Sequence, residues 1–269
     1  MDLSIIIVNF NTKKLILNCV ESITISKPKI KYEIIVVDNG SSEKIETSDF
    51  VNYGVKIIKN DSNLGFAKAN NQGIRKAKGK YIVLLNSDTR VKKYTIDRLY
   101  EFAKSKSEAG VIAPRLLNPD GSVQGSVFRF PTIGRAIKQY WLGKKGLLEK
   151  YAPGGNEAHE VEAVVGAAFL ITPEAFNKVG LLDERYFMYF EDLDYCRRVR
   201  QNGLKTYYLP KAEVIHYHGE SGRKILDAPN QWRRLIPSSK IYHGIIVHNI
   251  IFFITWASQK VAAVWRKVN

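Results

Sequence analysis

Four short segments near the start of the chain are apolar on both faces: Leu3 to Phe10, Tyr32 to Asp38, Val55 to Lys59 and Tyr81 to Leu85. A strand with one wet face alternates apolar and polar residues; these runs do not, so both faces must be covered. Helical spacing appears between them, over Lys13 to Ser26 through Leu15, Ile16, Val20 and Ile23, and over Phe66 to Ala77. Such strands, separated by helices, predict an α/β chain with a mostly parallel sheet flanked by helices. In that architecture ligands bind beyond the carboxyl ends of the strands.

Those ends carry the polar residues. Strand one closes on Asn9 and Asn11, strand two on Asp38-Asn39-Gly40-Ser41-Ser42, and strand four on Asn86-Ser87-Asp88. Asp38 can accept hydrogen bonds from a ribose or a base edge, and Asp88 suits an oxygen-liganded cation such as Mg2+ or Mn2+. Taken singly, each is as readily a turn or a helix cap. Three at one sheet edge point to a site. Neither a GxxxxGKS/T loop nor a GxGxxG follows strand one, so a bound nucleotide is expected to have its phosphates held through a metal.

Composition narrows the class. With 45% hydrophobic and 11% aromatic residues in 269, the chain can bury a core, which excludes wholesale disorder and collagen-like architectures. Cys19 and Cys196 form no disulfide framework and no metal-binding pair, so reduced thiols are expected. Asp2 stands where an export signal needs a positive residue, so none is expected. The net charge of +15 is lopsided: residues 129–150 and 221–269 carry most of the excess. A polyanionic partner is therefore expected to meet only part of the surface.

Seven ordered blocks then carry a resemblance. They are Ser4-Ile5-Ile6-Ile7-Val8-Asn9-Phe10-Asn11, Val36-Val37-Asp38-Asn39-Gly40-Ser41, Asn63 to Gly73, Leu84-Leu85-Asn86-Ser87-Asp88-Thr89, Val165 to Leu170, Phe187 to Arg198, and His216 to Ser221. As a set they resemble the family 2 inverting glycosyltransferases of GT-A fold, and the last three resemble especially the rhamnosyltransferase-like branch. The resemblance implies a Rossmann-like, mostly parallel central sheet flanked by helices. It implies a catalytic domain over 1–220, with a nucleotide-sugar half in 1–110 and an acceptor half in 111–220, followed by a C-terminal amphipathic helical extension over 221–269.

It also implies roles. Asp38 is similar to the aspartate that contacts the nucleoside, with Val8, Asn9, Phe10, Asn11 and Ser41 nearby, while Asn63, Gly65, Phe66 and Asn70 belong to the segment that closes over the donor. Asn86-Ser87-Asp88 matches the metal-binding DxD motif with its first Asp replaced by Asn, leaving Asp88 as the chief carboxylate ligand for Mg2+ or Mn2+. One formal charge has gone, so a weaker hold on metal is expected. Gly166, Ala167, Glu191 and Trp141 fall on the acceptor side, and the general base is Asp192.

The chemistry is consistent with that reading, because an inverting transfer needs a base for the acceptor hydroxyl and a Lewis acid for the leaving diphosphate. Glu191, Asp192 and Asp194 put three carboxylates within four residues, and mutual repulsion should raise at least one pKa. The same acids also suit the positive end of a helix running through Leu193, Cys196 and Val199. Arg198 reads equally as their partner or as a phosphate ligand. His216 and His218 alternate along a strand from Ala212 and share a face, which suggests a metal or diphosphate contact; His216 matches the family's histidine better.

Two segments remain. In 129–150, Arg129, Lys138, Lys144 and Lys145 are interleaved with Phe130, Tyr140 and Trp141, which suits either a phosphate-bearing, partly greasy acceptor or a solvated loop. From Gly244 to Gln259 no Lys, Arg, Asp or Glu occurs, yet 16 residues fall short of the roughly 20 needed to span a bilayer. With Arg233, Arg234, Lys240, Lys260, Arg266 and Lys267 around it, and Trp232, Trp256 and Trp265 placed for headgroup depth, it reads as an interfacial helix. A helix packed on the core and a dimer contact are the alternatives.

The expected activity is transfer of L-rhamnose from dTDP-L-rhamnose, or of GlcNAc, galactose or glucose from a UDP-sugar, to a polyprenyl-diphosphate-linked saccharide in cell-envelope polysaccharide synthesis. The expected place is the anionic inner face of the cell membrane, with the enzyme cytoplasmic and peripheral. A sequence pI near 9.6 raises nucleic-acid binding as another class. It is disfavoured because the basic residues flank an apolar helix and no RNP, zinc-finger or helix-turn-helix pattern is present. Retention of Asp88 and Asp192 speaks against a non-catalytic relative.

Overall fold

In the computed structural model residues 1–217 and 232–268 are described, the side chains of 232–234 and 262–268 excepted. His218 and the Gly219-Glu220-Ser221 block lie outside the described residues, as do the side chains of Trp232, Arg233, Arg234, Trp265, Arg266 and Lys267.

The first strand shows why its sequence does not alternate. In β1 (Leu3–Asn9), Ile5 and Ile7 point into one core and Ile6 into a second on the opposite face. The same division holds in β2 (Tyr32–Asn39), with Val36 on one side and Ile35 on the other. Helix α1 (Lys13–Ile25) covers the first face with Ile16, Cys19, Val20 and Ile23, and α2 (Phe66–Lys76) covers the second with Ala67 and Ile74. A β-carbon on Gly73 of α2 would stand 2.4 Å from Ile6 Cγ2, so the glycine lets this helix lie close on the sheet.

β1 pairs in parallel with β2 and with β4 (Tyr81–Asn86), and β2 with β3 (Lys56–Asn60), a strand set one residue later than the sequence suggests. The registers place Asn9 beside Asp38 and Val8 beside Asn86. Consecutive β-α-β units thus bring the polar ends of three strands to one edge.

The sheet then changes character. After β5 (Thr89–Val91), α3 (Thr95–Ser105), β6 (Ala109–Leu117), β7 (Val127–Phe128), α4 (Ile133–Tyr140), β8 (His159–Val161) and β9 (Ala163–Val164), strand β10 (Ala168–Ile171) inserts antiparallel between β4 and β6. Helices α5 (Pro173–Val179) and α6 (Glu191–Gln201) follow, and β11 (Lys205–His216) closes the order β3-β2-β1-β4-β10-β6-β11-β5, with β8 on β11. β7 and β9 form a separate ribbon. The sheet is mostly parallel and covered by helices on both faces. Cys19 and Cys196 are buried and in no disulfide.

Two helices end the chain, α7 (Trp232–His243) and α8 (Ile245–Val268). Gly244, at φ +76°, separates them in a conformation that favours glycine. α7 joins the second core through Tyr242. α8 runs well past Gln259, because Lys, Val, Ala, Trp and Arg are all tolerated in a helix. It packs on α7 and α4, and the Trp141 indole N–H donates to the Ile254 carbonyl at 3.2 Å. Ile246 (75% exposed), Ile250, Phe253 (62%) and Trp256 form one outward stripe. Among the described residues no helix is long and apolar enough to cross a membrane.

Candidate active site

At the sheet edge the polar strand ends satisfy one another. Asn9 Nδ2 donates to Asp38 Oδ1 at 3.2 Å and to Ser41 Oγ at 3.0 Å, and Ser41 Oγ also accepts the Asn11 N–H at 2.9 Å. Thr12 Oγ1 donates to Asn9 Oδ1 and lies 2.8 Å from Ser87 Oγ, which ties this network to the Asn86-Ser87-Asp88 turn. Asp38 is fully buried and accepts from the Ser41 and Ile45 amides, so it shapes the loop beneath the edge. Val8 and Asn11 lie partly exposed above it, with Phe10 between them in sequence and also partly exposed. Asn11 is left-handed at φ 56°, a region that Asn tolerates better than most residues.

The Asn63–Asn70 segment is tied to the same loop. Asn39 Nδ2 donates to Asn63 Oδ1 and to the Gly65 carbonyl, while Asn63 Oδ1 also accepts the Gly65 N–H. The Phe66 N–H donates to the Phe187 carbonyl at 2.7 Å, and a β-carbon on Gly65 would stand 2.6 Å from that same oxygen. Only glycine allows the approach. Asn70 is buried and donates to the Phe66 carbonyl one turn back.

Asp88 and His216 meet because β5, which begins directly after Asp88, pairs antiparallel with β11 and sets Thr89 opposite His216. His216 Nε2 lies 3.5 Å from Asp88 Oδ1, and both residues are buried. Gln124, missed from the sequence, decides the imidazole tautomer. Its Nε2 donates to Asn118 Oδ1 and the His216 carbonyl, so its Oε1 must accept from His216 Nδ1–H at 2.7 Å, leaving Nε2 to face Asp88. Asn86 Oδ1 is buried without a hydrogen bond. The Asp88 carboxylate and the His216 imidazole are donor types that a hard divalent cation accepts, as is the Asn86 amide oxygen. No group of three or more His, Cys, Asp or Glu side chains suited to a metal occurs among the described residues.

The carboxylates expected to act together divide into two environments. Asp194 leaves the cluster, receiving Arg197 Nη2 at 2.9 Å and Arg198 Nε at 2.8 Å. Arg198 also donates from Nη1 to the Val179 and Leu181 carbonyls, so it stands here as a partner of Asp194 and of the segment before α6. Asp192 is partly exposed beside a small cleft lined by Phe66, Leu84, Gly166 and Glu191. Its Oδ2 accepts the Gly166 N–H at 3.0 Å and its Oδ1 the Leu193 N–H at 2.8 Å. Burial raises its pKa, opposed by those two amides and by the positive charge of Lys150. Glu191 is buried with Oε2 unpartnered, and burial first, then the charge of Asp192, push it up to about 8. Hydrogen bonding thus favours Asp192 as the member that ionises, while Glu191 keeps its proton at neutral pH.

In the sequence Lys150 carries no signal beyond its charge. It lies over the Phe128 ring at 5.4 Å, and its own pKa is lowered by burial and raised in part by Asp192. Two residues expected on the acceptor side are tied into the fold. Ala167 is buried in the core, and its contribution is the carbonyl that receives the Asn86 N–H at 2.9 Å. Trp141 stands half exposed against α8, held there by Ile254.

The family model of Glycosyl transferase family 2 matches residues 4–177. The chain belongs to that family. Among its relatives, N-acetylglucosaminyl-diphospho-decaprenol L-rhamnosyltransferase of Mycobacterium tuberculosis is 29% identical over 206 residues, covering 70% of this chain and 67% of the relative. A low-salt glycan biosynthesis hexosyltransferase of Haloferax volcanii is 30% identical over 223 residues, covering 80% and 67%. In the crystal structure of GalNAc-T7 with UDP, GalNAc and Mn2+ the fold superposes with a TM-score of 0.63 at 22% identity, over 80% of this chain and 44% of that one. The family model takes in the polar ends of β1, β2 and β4 and Gly166, and Asp192 lies beyond its last residue.

Proposed function

We propose that this glycosyltransferase inverts: Asp192 takes the proton of an acceptor hydroxyl as that oxygen attacks the anomeric carbon of a nucleotide-diphospho-sugar. The new C–O bond forms on the face opposite the bond to the diphosphate, which breaks with its electron pair. The observation that carries this reading is Asp192 itself. It is a carboxylate held by two amide donors, opening on a cleft, with its pKa raised toward the range where a base is most effective. Glu191, protonated at its side, adds no second negative charge near the reacting hydroxyl.

Asn9, Asn11, Asp38, Ser41 and the Asn63–Phe66 turn frame the donor nucleoside. Asp88, His216 and Asn86 would hold Mg2+ or Mn2+, which when bound neutralises charge on the leaving diphosphate. The rhamnosyltransferase-like blocks and the name of the mycobacterial relative support L-rhamnose as the sugar, dTDP-L-rhamnose as donor and a polyprenyl-diphosphate-linked saccharide as acceptor. The exposed stripe of α8, with Lys240 and Lys260 near its ends and Lys138 on the adjoining α4, suits an anionic inner membrane surface where such an acceptor resides.

The test is a thermal-shift panel of dTDP-L-rhamnose, UDP-GlcNAc, UDP-galactose and UDP-glucose with and without Mn2+, followed by transfer onto a polyprenyl-diphosphate-linked sugar. A ligand at a hundred times its Kd stabilises by about 2.7 kcal/mol, which such a panel resolves. The expected result is stabilisation by dTDP-L-rhamnose and an inverted product. Stabilisation by a UDP-sugar alone would reassign the donor; no binding and no transfer would overturn the reading.

A further inference from the structure

The loop that delivers Asp192 is held from two sides. On one side the Phe187 carbonyl receives the Phe66 N–H of the donor-side segment. On the other, the buried Ser238 of α7 donates its hydroxyl to the Met188 carbonyl at 2.8 Å. Between these anchors and α6 stand Tyr189 and Phe190, consecutive left-handed residues at φ 69° and 70°. Bulky side chains rarely adopt that region, and residues held there persist only where their surroundings enforce it. Glu191 and Asp192 are the next two residues and form the first turn of α6.

The enforcement comes from α7. The Tyr242 ring packs against the Phe190 ring with centroids 5.3 Å apart, and the His243 ring meets Phe190 edge-on at 6.1 Å. Arg197 of α6 closes the arrangement. Its guanidinium lies 3.9 Å from the Tyr242 ring centroid, its Nη1 donates to the Tyr242 carbonyl at 2.9 Å, and its Nη2 holds Asp194. α6 and the loop before it are therefore fastened to the same turn of α7.

We propose that Ser238 and Tyr242 are positioning residues for the transfer reaction, holding the left-handed Tyr189–Phe190 pair so that the Asp192 carboxylate stays against the Gly166 amide. The C-terminal helices are then part of the catalytic apparatus as well as its surface-facing side. The inference rests on the reading of Asp192 as base. Released from α7, Tyr189 and Phe190 would relax toward commoner backbone angles, the first turn of α6 would fray, and Asp192 would leave its place while the donor edge stayed intact.

The experiment compares full-length Tyr242→Leu, Tyr242→Phe and Ser238→Ala with the unsubstituted enzyme, using a detergent-dispersed acceptor so that surface docking is not required. Two readouts are taken: kcat against KM for the nucleotide-sugar, and hydrogen exchange of the amides of residues 187–193. Tyr242→Leu is expected to lower kcat on the order of tenfold to a hundredfold with donor KM unchanged, and to speed exchange in that segment. Tyr242→Phe, which keeps the ring, is expected to restore both, and Ser238→Ala to show a smaller change in the same direction. Unchanged exchange in 187–193 for both Tyr242→Leu and Ser238→Ala would overturn the proposal. So would kcat and donor affinity falling together, or exchange rising equally across the whole chain. Hydrogen exchange does not depend on turnover, so an enzyme that failed to transfer sugar would sink the base assignment while the positioning would still be decided.

Discussion

The sheet edge proposed to hold the donor and the turn that carries the proposed base are built on opposite plans. At the donor edge, Asn9, Asp38, Ser41 and Thr12 satisfy one another through hydrogen bonds between strand ends lying side by side in parallel register. At the base, Glu191 is desolvated with one oxygen unpartnered, Asp192 has a raised pKa, and two left-handed residues precede them. Recognition of a polar ligand needs only donors and acceptors set in place, which a regular sheet supplies. A reactive carboxylate needs removal from water and an unusual backbone, and both must be supported by other parts of the molecule.

Substitutions can separate the two regions. The largest effect is expected from Asp192→Asn, which should cut kcat on the order of 10²–10⁴-fold while donor binding in a thermal-shift assay stays intact; lost donor binding would show that the regions are not separable. Asp88→Ala should do the converse, weakening Mn2+-dependent donor binding, and unchanged binding with and without a chelator would remove Asp88 as a ligand. Gln124→Leu frees the His216 tautomer and should weaken Mn2+ affinity, read by calorimetry with nucleotide present, by roughly tenfold to a hundredfold.

Smaller effects fall on the last helix and on Glu191. Phe252→Glu with Phe253→Glu should lower partition onto anionic vesicles by roughly tenfold, with donor binding unchanged; full retention on the vesicles would count against a surface role for α8. Glu191→Gln should change the pH dependence of stability. With the folded pKa at about 8, above the ordinary 4.5, the native state keeps a proton that the unfolded chain releases within that window. The unsubstituted enzyme should therefore lose stability relative to Glu191→Gln as pH rises from about 4.5 to about 8, and parallel melting curves would refute it.

Legibility in the sequence follows the same division. The polar edge is legible because each contributor ends an apolar run, and the parallel registers then set Asn9 beside Asp38 and Val8 beside Asn86. Asp192 was readable only through the block that resembles a known family, since an acidic first turn is equally a helix cap. Gln124, Lys150, Ser238 and Tyr242 gave no local signal. Each acts on a partner distant in the chain, as Gln124 does on His216 and Ser238 on Met188. The contact of the Trp141 indole N–H with the Ile254 carbonyl of α8 is likewise invisible in the sequence, where the two residues lie far apart.

By itself the sequence determined the two-faced burial of the strands, hence a covered, mostly parallel sheet with its polar residues at one edge, because side-chain period and apolar runs are local properties. The tertiary structure alone decided which carboxylates pair and which are stranded. Asp194 meets Arg197 and Arg198 on its own helix, while Glu191 is left facing the interior. It also decided that the C-terminal helices brace the loop before Asp192. Desolvation and strain depend on every element packed around a group, and such packing is set only once the whole chain has folded.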